Sequence, residues 1–251
     1  MNISEMAARR PNRFAALKSI AYASRKMWRA DGEDLFVDVI GGLGCRDSQG
    51  RQVYPLQIEA ALMAHPRAAR VFCTIESPGG RVAVADKICE LLRMHDGYLT
   101  TVAQGVCASA AVDVLIEGEF RAARDGAQIL IHAPDIHPDD KVRWTAGRHS
   151  AAAKALTEHT DRFVEKYAQK TGRDAAMFRK EIANENFLTI NQAKRLGIVH
   201  AVEGEERWHD GRAYFFEGIT MRARQHSLRA HAASAVMAMA RARQPVPVVG
   251  L

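Results

Sequence analysis

The sequence predicts an α/β fold built from stacked βαβ units with a largely parallel sheet. Three observations point there. Short β-branched, apolar runs recur at 35–40, 71–75, 100–103 and 128–131. Segments with helical spacing separate most of them, and Gly or Pro punctuates the joins. Strand-helix alternation at this spacing is the pattern of parallel units with crossover helices.

Taken in order, residues 12–29 carry Phe14, Leu17, Ile20 and Ala21 near one helical face, and Asp31-Gly32 breaks that pattern. Leu35 to Ile40 reads as a strand closed by Gly41-Gly42, and residues 45–52 as a polar loop. Ile58, Ala61 and Leu62 predict a helix ending near Pro66. Val71-Phe72-Cys73-Thr74-Ile75 is a buried strand running into Pro78-Gly79-Gly80, whose glycines let backbone approach a ligand closely. Val82, Ala85, Ile88, Cys89, Leu91 and Leu92 fit an amphipathic helix. The segment 100–103 reads as a strand, Gly105 to Ser109 as a tight turn, and Val112 to Ile116 as a buried helix.

Further on, His132 ends the strand at 128–131, and residues 135–147 form a polar loop. A long helix is predicted over 151–169, with Leu156, Phe163, Val164 and Tyr167 as its apolar positions and Gly172 after its end. A shorter helix follows over 174–184, then an extended piece at 187–189. Thr189 caps a helix at 190–196 that Gly197 stops, and Ile198 to Val202 reads as a terminal strand. Residues 227–243 have an Ala-rich helical composition ended by Pro245 and Pro247.

With 251 residues, 47% apolar and 25% charged, the composition is that of a soluble globular chain with one core. No stretch approaches the apolar length of a membrane span or a signal peptide. Cys45, Cys73, Cys89 and Cys107 have no metal-binding spacing, and the last three lie in apolar segments. Free thiols in a reducing, cytoplasmic compartment are expected. The formal charge of +6 is concentrated at the ends. Residues 1–30 hold seven Lys or Arg against one Glu, and residues 216–251 hold five Arg against one Glu. Such ends are either solvated tails or attachments for an acidic partner.

Ser109 stands between a strand and a helix, beside unpaired N–H groups and the positive end of the helix dipole. It is either a simple N-cap or a nucleophile whose attack creates an oxyanion there. A histidine and a Gly-Gly turn also fall at strand ends, where ligands bind in α/β sheets.

Four motifs in order resemble the Clp protease proteolytic subunit family, closest to its phage head-maturation relatives. They are Ile75-Glu76-Ser77-Pro78-Gly79-Gly80, Gly105-x-x-Ala108-Ser109-Ala110, Ile131-His132-x-Pro134, and Glu185-Asn186-Phe187-Leu188-Thr189 followed by Ala193-x-x-x-Gly197-Ile198-Val199. The resemblance covers about residues 35–202. It implies a crotonase/Clp-like fold with a protruding long helix and a short C-terminal strand. It also implies a basic N-terminal extension at 1–32, the protease domain at 33–210 and a basic tail at 211–251. Ser109 matches the family's nucleophile, His132 its general base and Glu185 its triad carboxylate. Gly80 and Ala110 match the oxyanion-hole residues. No metal or organic cofactor is implied. The implied partners are a protein or peptide substrate and other copies of the chain, in a ring of seven or a stacked pair. An AAA+ unfoldase or phage capsid proteins would be further partners, with neither membrane nor nucleic acid.

Three residues depart from the family pattern. Glu76 replaces the usual Asn and adds charge near the substrate groove. Glu185 replaces the usual Asp. Asp113 occupies a position expected to be small and neutral, and a buried carboxylate there requires a partner. That partner is expected to be a group such as an Arg of a neighbouring subunit, with Asp113 as an alternative third triad member. Cys107 is expected to be packed rather than nucleophilic, and His95, His137, His149, His159 and His209 to lie on the surface. Two other classes remain: a catalytically silent ring subunit, and an acyl-CoA enzyme of the crotonase group, which a Ser–His pair disfavours.

Overall fold

The computed structural model describes residues 27–136, 143–202, 207–209 and 212–214. Residues 12–26 of the helix expected over 12–29, and the tail beyond 214, lie outside them. Two compact units divide at His200.

In the first unit, β1 (Trp28–Asp31) and β2 (Asp34–Ile40) form an antiparallel hairpin through Gly32. The expected helix over 12–29 therefore does not reach Trp28. Arg29 lies over the Phe36 ring at 3.7 Å, a cation–π contact that secures the edge strand. Next come β3 (Gly42–Leu43), β4 (Gln52–Val53), α1 (Pro55–Ala64), β5 (Arg70–Ser77), α2 (Val82–Arg93) and β6 (Tyr98–Ala108). After β6 the chain forms α3 (Ala110–Leu115), β7 (Phe120–Ala123), β8 (Gln128–Leu130) and α4 (Ala146–Thr171). It ends with α5 (Ala175–Asn184), β9 (Phe187–Leu188) and α6 (Ile190–Arg195).

The main sheet runs β1-β2-β5-β6-β7, parallel from β2 onward. Alternate residues of β2, Leu35, Val37 and Val39, are fully buried and join one core with Ile58, Leu62, Ile88, Leu91 and Val112. The opposite face of β2, Asp34, Phe36, Asp38 and Ile40, is only partly buried.

The sequence predicts a turn from Gly105, but β6 continues as strand to Ala108. Its first half pairs with β7 and its second half with β8. Strand β7 is not evident from the sequence, because Arg121 sits within its four residues. That guanidinium is buried and donates to the carbonyls of Gly118, Gly197 and Ile198 at 2.8, 2.9 and 3.2 Å. Burial pushes its pKa down to about 10. His95, expected on the surface, is buried, with Nε2 3.0 Å from the His65 carbonyl and Nδ1 accepting from the Gly97 N–H. His149 is exposed and His159 partly so, while the side chains of His137 and His209 lie outside the described residues.

Helix α4 begins five residues earlier than expected, at Ala146, where Thr145 caps it by accepting from Arg148 N–H. Its 26 residues extend about 39 Å. Val164 and Tyr167 are its buried residues, and nothing from Ala146 to Phe163 is buried. Asp174 caps α5; Thr189 caps α6 as read from the sequence, and Gln192 completes a capping box with it.

The second unit contains β10 (Ala201–Val202) and a hairpin of β11 (Arg207–His209) with β12 (Arg212–Tyr214). The expected terminal strand at 198–202 is thus confined to its last two residues. Among the described residues, no helix is long and apolar enough to cross a membrane.

Candidate functional site

The site forms where three strands end side by side. At the end of β5, Ser77 Oγ accepts from Gly79 N–H at 3.1 Å and fixes the turn. Gly79 and Gly80 have φ of 95° and 141°, values that disfavour any side chain. Leu43 holds this turn from outside, donating to the Gly79 carbonyl and accepting from Arg81 N–H, each at 2.8 Å. A Cβ on Gly80 would collide with the Leu43 carbonyl, and one on Gly79 would lie 2.7 Å from Ser109 Cβ. The turn can therefore pack this closely against Ser109 on one side and Leu43 on the other only because both residues are glycine.

At the end of β6, Ser109 occupies the N-cap position of α3 but makes no side-chain capping hydrogen bond. Its backbone lies at φ 55°, ψ −132°. Ser109 and Glu185 are the two non-glycine residues of positive φ among the described residues. Such strained positions concentrate at functional sites. A cap alone needs no strain and would use its hydroxyl, so this geometry favours the nucleophile reading over the simple cap.

At the end of β8, Leu130 accepts from Ser109 N–H at 2.9 Å. His132 follows two residues later and lines one cleft with Ser109, Ala110, Gly80 and Asp113. Glu185 is not among the residues lining that cleft, and its side chain is exposed. The antiparallel register of β8 with β9 pairs Ile129 with Leu188 and Leu130 with Phe187. The ladder ends there, and Glu185, two residues before Phe187, is the left-handed C-cap of α5 at φ 49°. Four of the sequence-identified residues, Gly80, Ser109, Ala110 and His132, thus line one cleft with Asp113, and Glu185 is not brought onto it.

Asp113 is buried one turn after Ser109. Its partner is Lys166 of α4, whose Nζ lies 3.3 Å from Oδ1. The same ammonium lies 3.0 Å from Glu117, which also binds Lys170 at 2.8 Å and Arg93 at 2.7 Å. Burial outweighs the attraction of Lys166 and lifts the Asp113 carboxyl to about 6. Glu117 is also penalised by burial, but its lysine partners prevail and hold its pKa below the usual value. Sequence reasoning does not find this network. Lys166 and Lys170 stand four apart on the face of Phe163 and Tyr167, and that spacing is the available signal.

Glu76 accepts from Arg51 Nη1 at 2.9 Å and Gln104 Nε2 at 3.1 Å. Its charge is therefore paired within the chain. Cys107 is buried, and burial raises its thiol pKa far above the normal range.

The family model described as Clp protease matches residues 56–206. The ATP-dependent Clp protease proteolytic subunit 1 of Bifidobacterium longum is 32% identical over 53% of this chain and 56% of its own length. The ATP-dependent Clp protease proteolytic subunit of Chaetosphaeridium globosum is 27% identical over 53% of this chain and 65% of its own. Both matches thus span less than two thirds of the relative. Among solved structures, a ClpP1 point mutant from Listeria monocytogenes superposes with a TM-score of 0.54. It covers 66% of this chain and 90% of that one at 21% identity, a likeness of fold.

Proposed function

The chain belongs to the Clp protease family, and on that premise we propose that it is a serine-type endopeptidase working through an acyl-enzyme. The observation that carries this reading is the single cleft shared by Ser109, His132, Gly80 and Ala110, with the serine strained and its hydroxyl free of a capping bond.

In this mechanism Ser109 Oγ attacks the scissile carbonyl while His132 takes its proton. The N–H groups of Gly80 and Ala110 stabilise the oxyanion, and His132 then gives the proton to the leaving amine. Water repeats the sequence to release the acyl group. Glu185 orients the imidazole and stabilises its charged form, the role that its place two residues before Phe187 carries over from the family resemblance. Asp113 is the weaker alternative for that role, because Lys166 already engages its carboxylate.

The uncovered first half of α4 supports self-association, as a ring of seven, single or stacked. An AAA+ unfoldase or phage capsid proteins would then be partners of the assembled ring, with head maturation or protein degradation as its role. Four free thiols, three of them buried, support a cytoplasmic setting.

A second reading, a catalytically silent ring subunit, is favoured only by the exposed Glu185 side chain. Hydrolysis of unstructured peptides separates the two. The protease reading expects turnover that vanishes in Ser109→Ala, and the silent reading expects none in either protein.

A further inference from the structure

We propose that Asp113 makes the cleft beside Ser109 select a basic side chain, so that cleavage falls on the carboxyl side of Lys or Arg. The proposal rests on the reading of Ser109 as nucleophile.

Asp113 lies four residues after Ser109, close to one helical turn, and lines the same cleft. Phe163, Tyr167, Val82 and Ile131 supply the apolar part of the lining. A long cationic side chain suits such a space, its methylene stem along apolar walls and its charged head at the carboxylate. The aromatic rings add attraction for the cation.

The charge balance around Asp113 leaves capacity for that head. Lys166 and Tyr167 face it from α4, Asp86 and Cys89 from α2, Glu117 from beyond the end of α3, and Cys107 from β6. His132 shares the cleft. Among the described residues, Lys166 is the single cation bonded to Asp113, and it is divided with Glu117, whose own contacts to cations are all shorter. Tyr167 hydrogen-bonds the same carboxyl group. A carboxylate offers about four acceptor sites, so a substrate ammonium or guanidinium can join without displacing these donors. An incoming Glu or Asp would meet a buried negative charge, and an apolar side chain would leave the carboxylate short of cations.

The test uses peptides differing only in the residue before the scissile bond: Lys, Arg, Leu or Glu. The full-length protein is expected to show kcat/KM at least about tenfold higher for Lys and Arg than for Leu, within the range one pocket contact can supply. Asp113→Asn should collapse that ratio, and Asp113→Glu should retain a basic preference. The Lys-to-Leu ratio should also rise from pH 5 to 7 as Asp113 ionises. A wild-type preference for Leu, or a ratio unchanged in Asp113→Asn, overturns the proposal. Failure of the folded protein to cleave any peptide overturns the nucleophile reading, and this proposal with it.

Discussion

Gly79 backs directly onto Ser109: a Cβ at Gly79 would stand 2.7 Å from the serine Cβ and 2.7 Å from the Ala108 carbonyl. The turn after β5 and the turn after β6 are thus packed to contact. Gly79→Ala should therefore cost about 1–3 kcal/mol in stability, from its φ of 95° together with the collision. Peptide hydrolysis should fall at least as steeply as in an oxyanion-hole deletion, about 10²-fold or more. Denaturant unfolding and peptide assays on the same preparation check both.

Ser109 holds its strained backbone without help from its own hydroxyl. Ser109→Ala should consequently lose activity but change stability by less than about 0.5 kcal/mol, below the usual cost of a lost cap. Ser109→Gly should be more stable than Ser109→Ala by up to about 1 kcal/mol, since glycine adopts positive φ freely. Equal melting temperatures for the two variants would contradict the strain.

Glu185 and Asp113 should separate by the kind of defect they cause. If Glu185 completes the proposed triad, Glu185→Gln should lower kcat on every peptide, by roughly 10³- to 10⁴-fold. Asp113→Asn should instead alter the ratio between peptides. The reverse pattern would make Asp113 the triad carboxylate.

The ionisation of Asp113 also links stability to pH. Its folded pKa, about 6, lies above the model-peptide value of 3.8. Between these values the folded state holds the extra proton, so the stability contributed by the protonated group is lost as pH rises from about 4 to 6. Asp113→Asn lacks this loss. Its stability relative to wild type should improve across that window by at most about 3 kcal/mol, the equivalent of some two pKa units. Glu117, held below its normal pKa, works in the opposite direction and loses stability as pH falls. The comparison with Asp113→Asn cancels that contribution.

The uncovered stretch of α4, with Leu156 and Phe163 only partly buried, should be occupied by other copies of the chain. Sedimentation at micromolar concentration should show an oligomer, and a stable monomer would contradict this.

Much of the fold is legible in the sequence because strands β2, β5 and β6 are apolar runs and the helices carry clear spacing and caps. Strand β7 is not, because the charge of Arg121 is satisfied by carbonyls 76 and 77 positions later in the sequence. Strand β1 is hidden inside a basic stretch whose apolar spacing looks helical. Its pairing with β2 is a tertiary effect that no local pattern states. The glycine turn, Ser109 and His132 are legible as punctuation at strand ends. The partner that Asp113 finds within the chain is not, since Lys166 lies 53 residues away and only the packing of α4 brings it near. The strain at Ser109 likewise belongs to the assembled turns and leaves no mark in composition.

The central claim is that Ser109 is an activated nucleophile, and labelling with a fluorophosphonate probe followed by mass mapping tests it most directly. The account predicts one modified residue, Ser109, with labelling abolished in Ser109→Ala and strongly slowed in Glu185→Gln. A folded, assembled protein that takes up no probe, or takes it up at another residue, would contradict it.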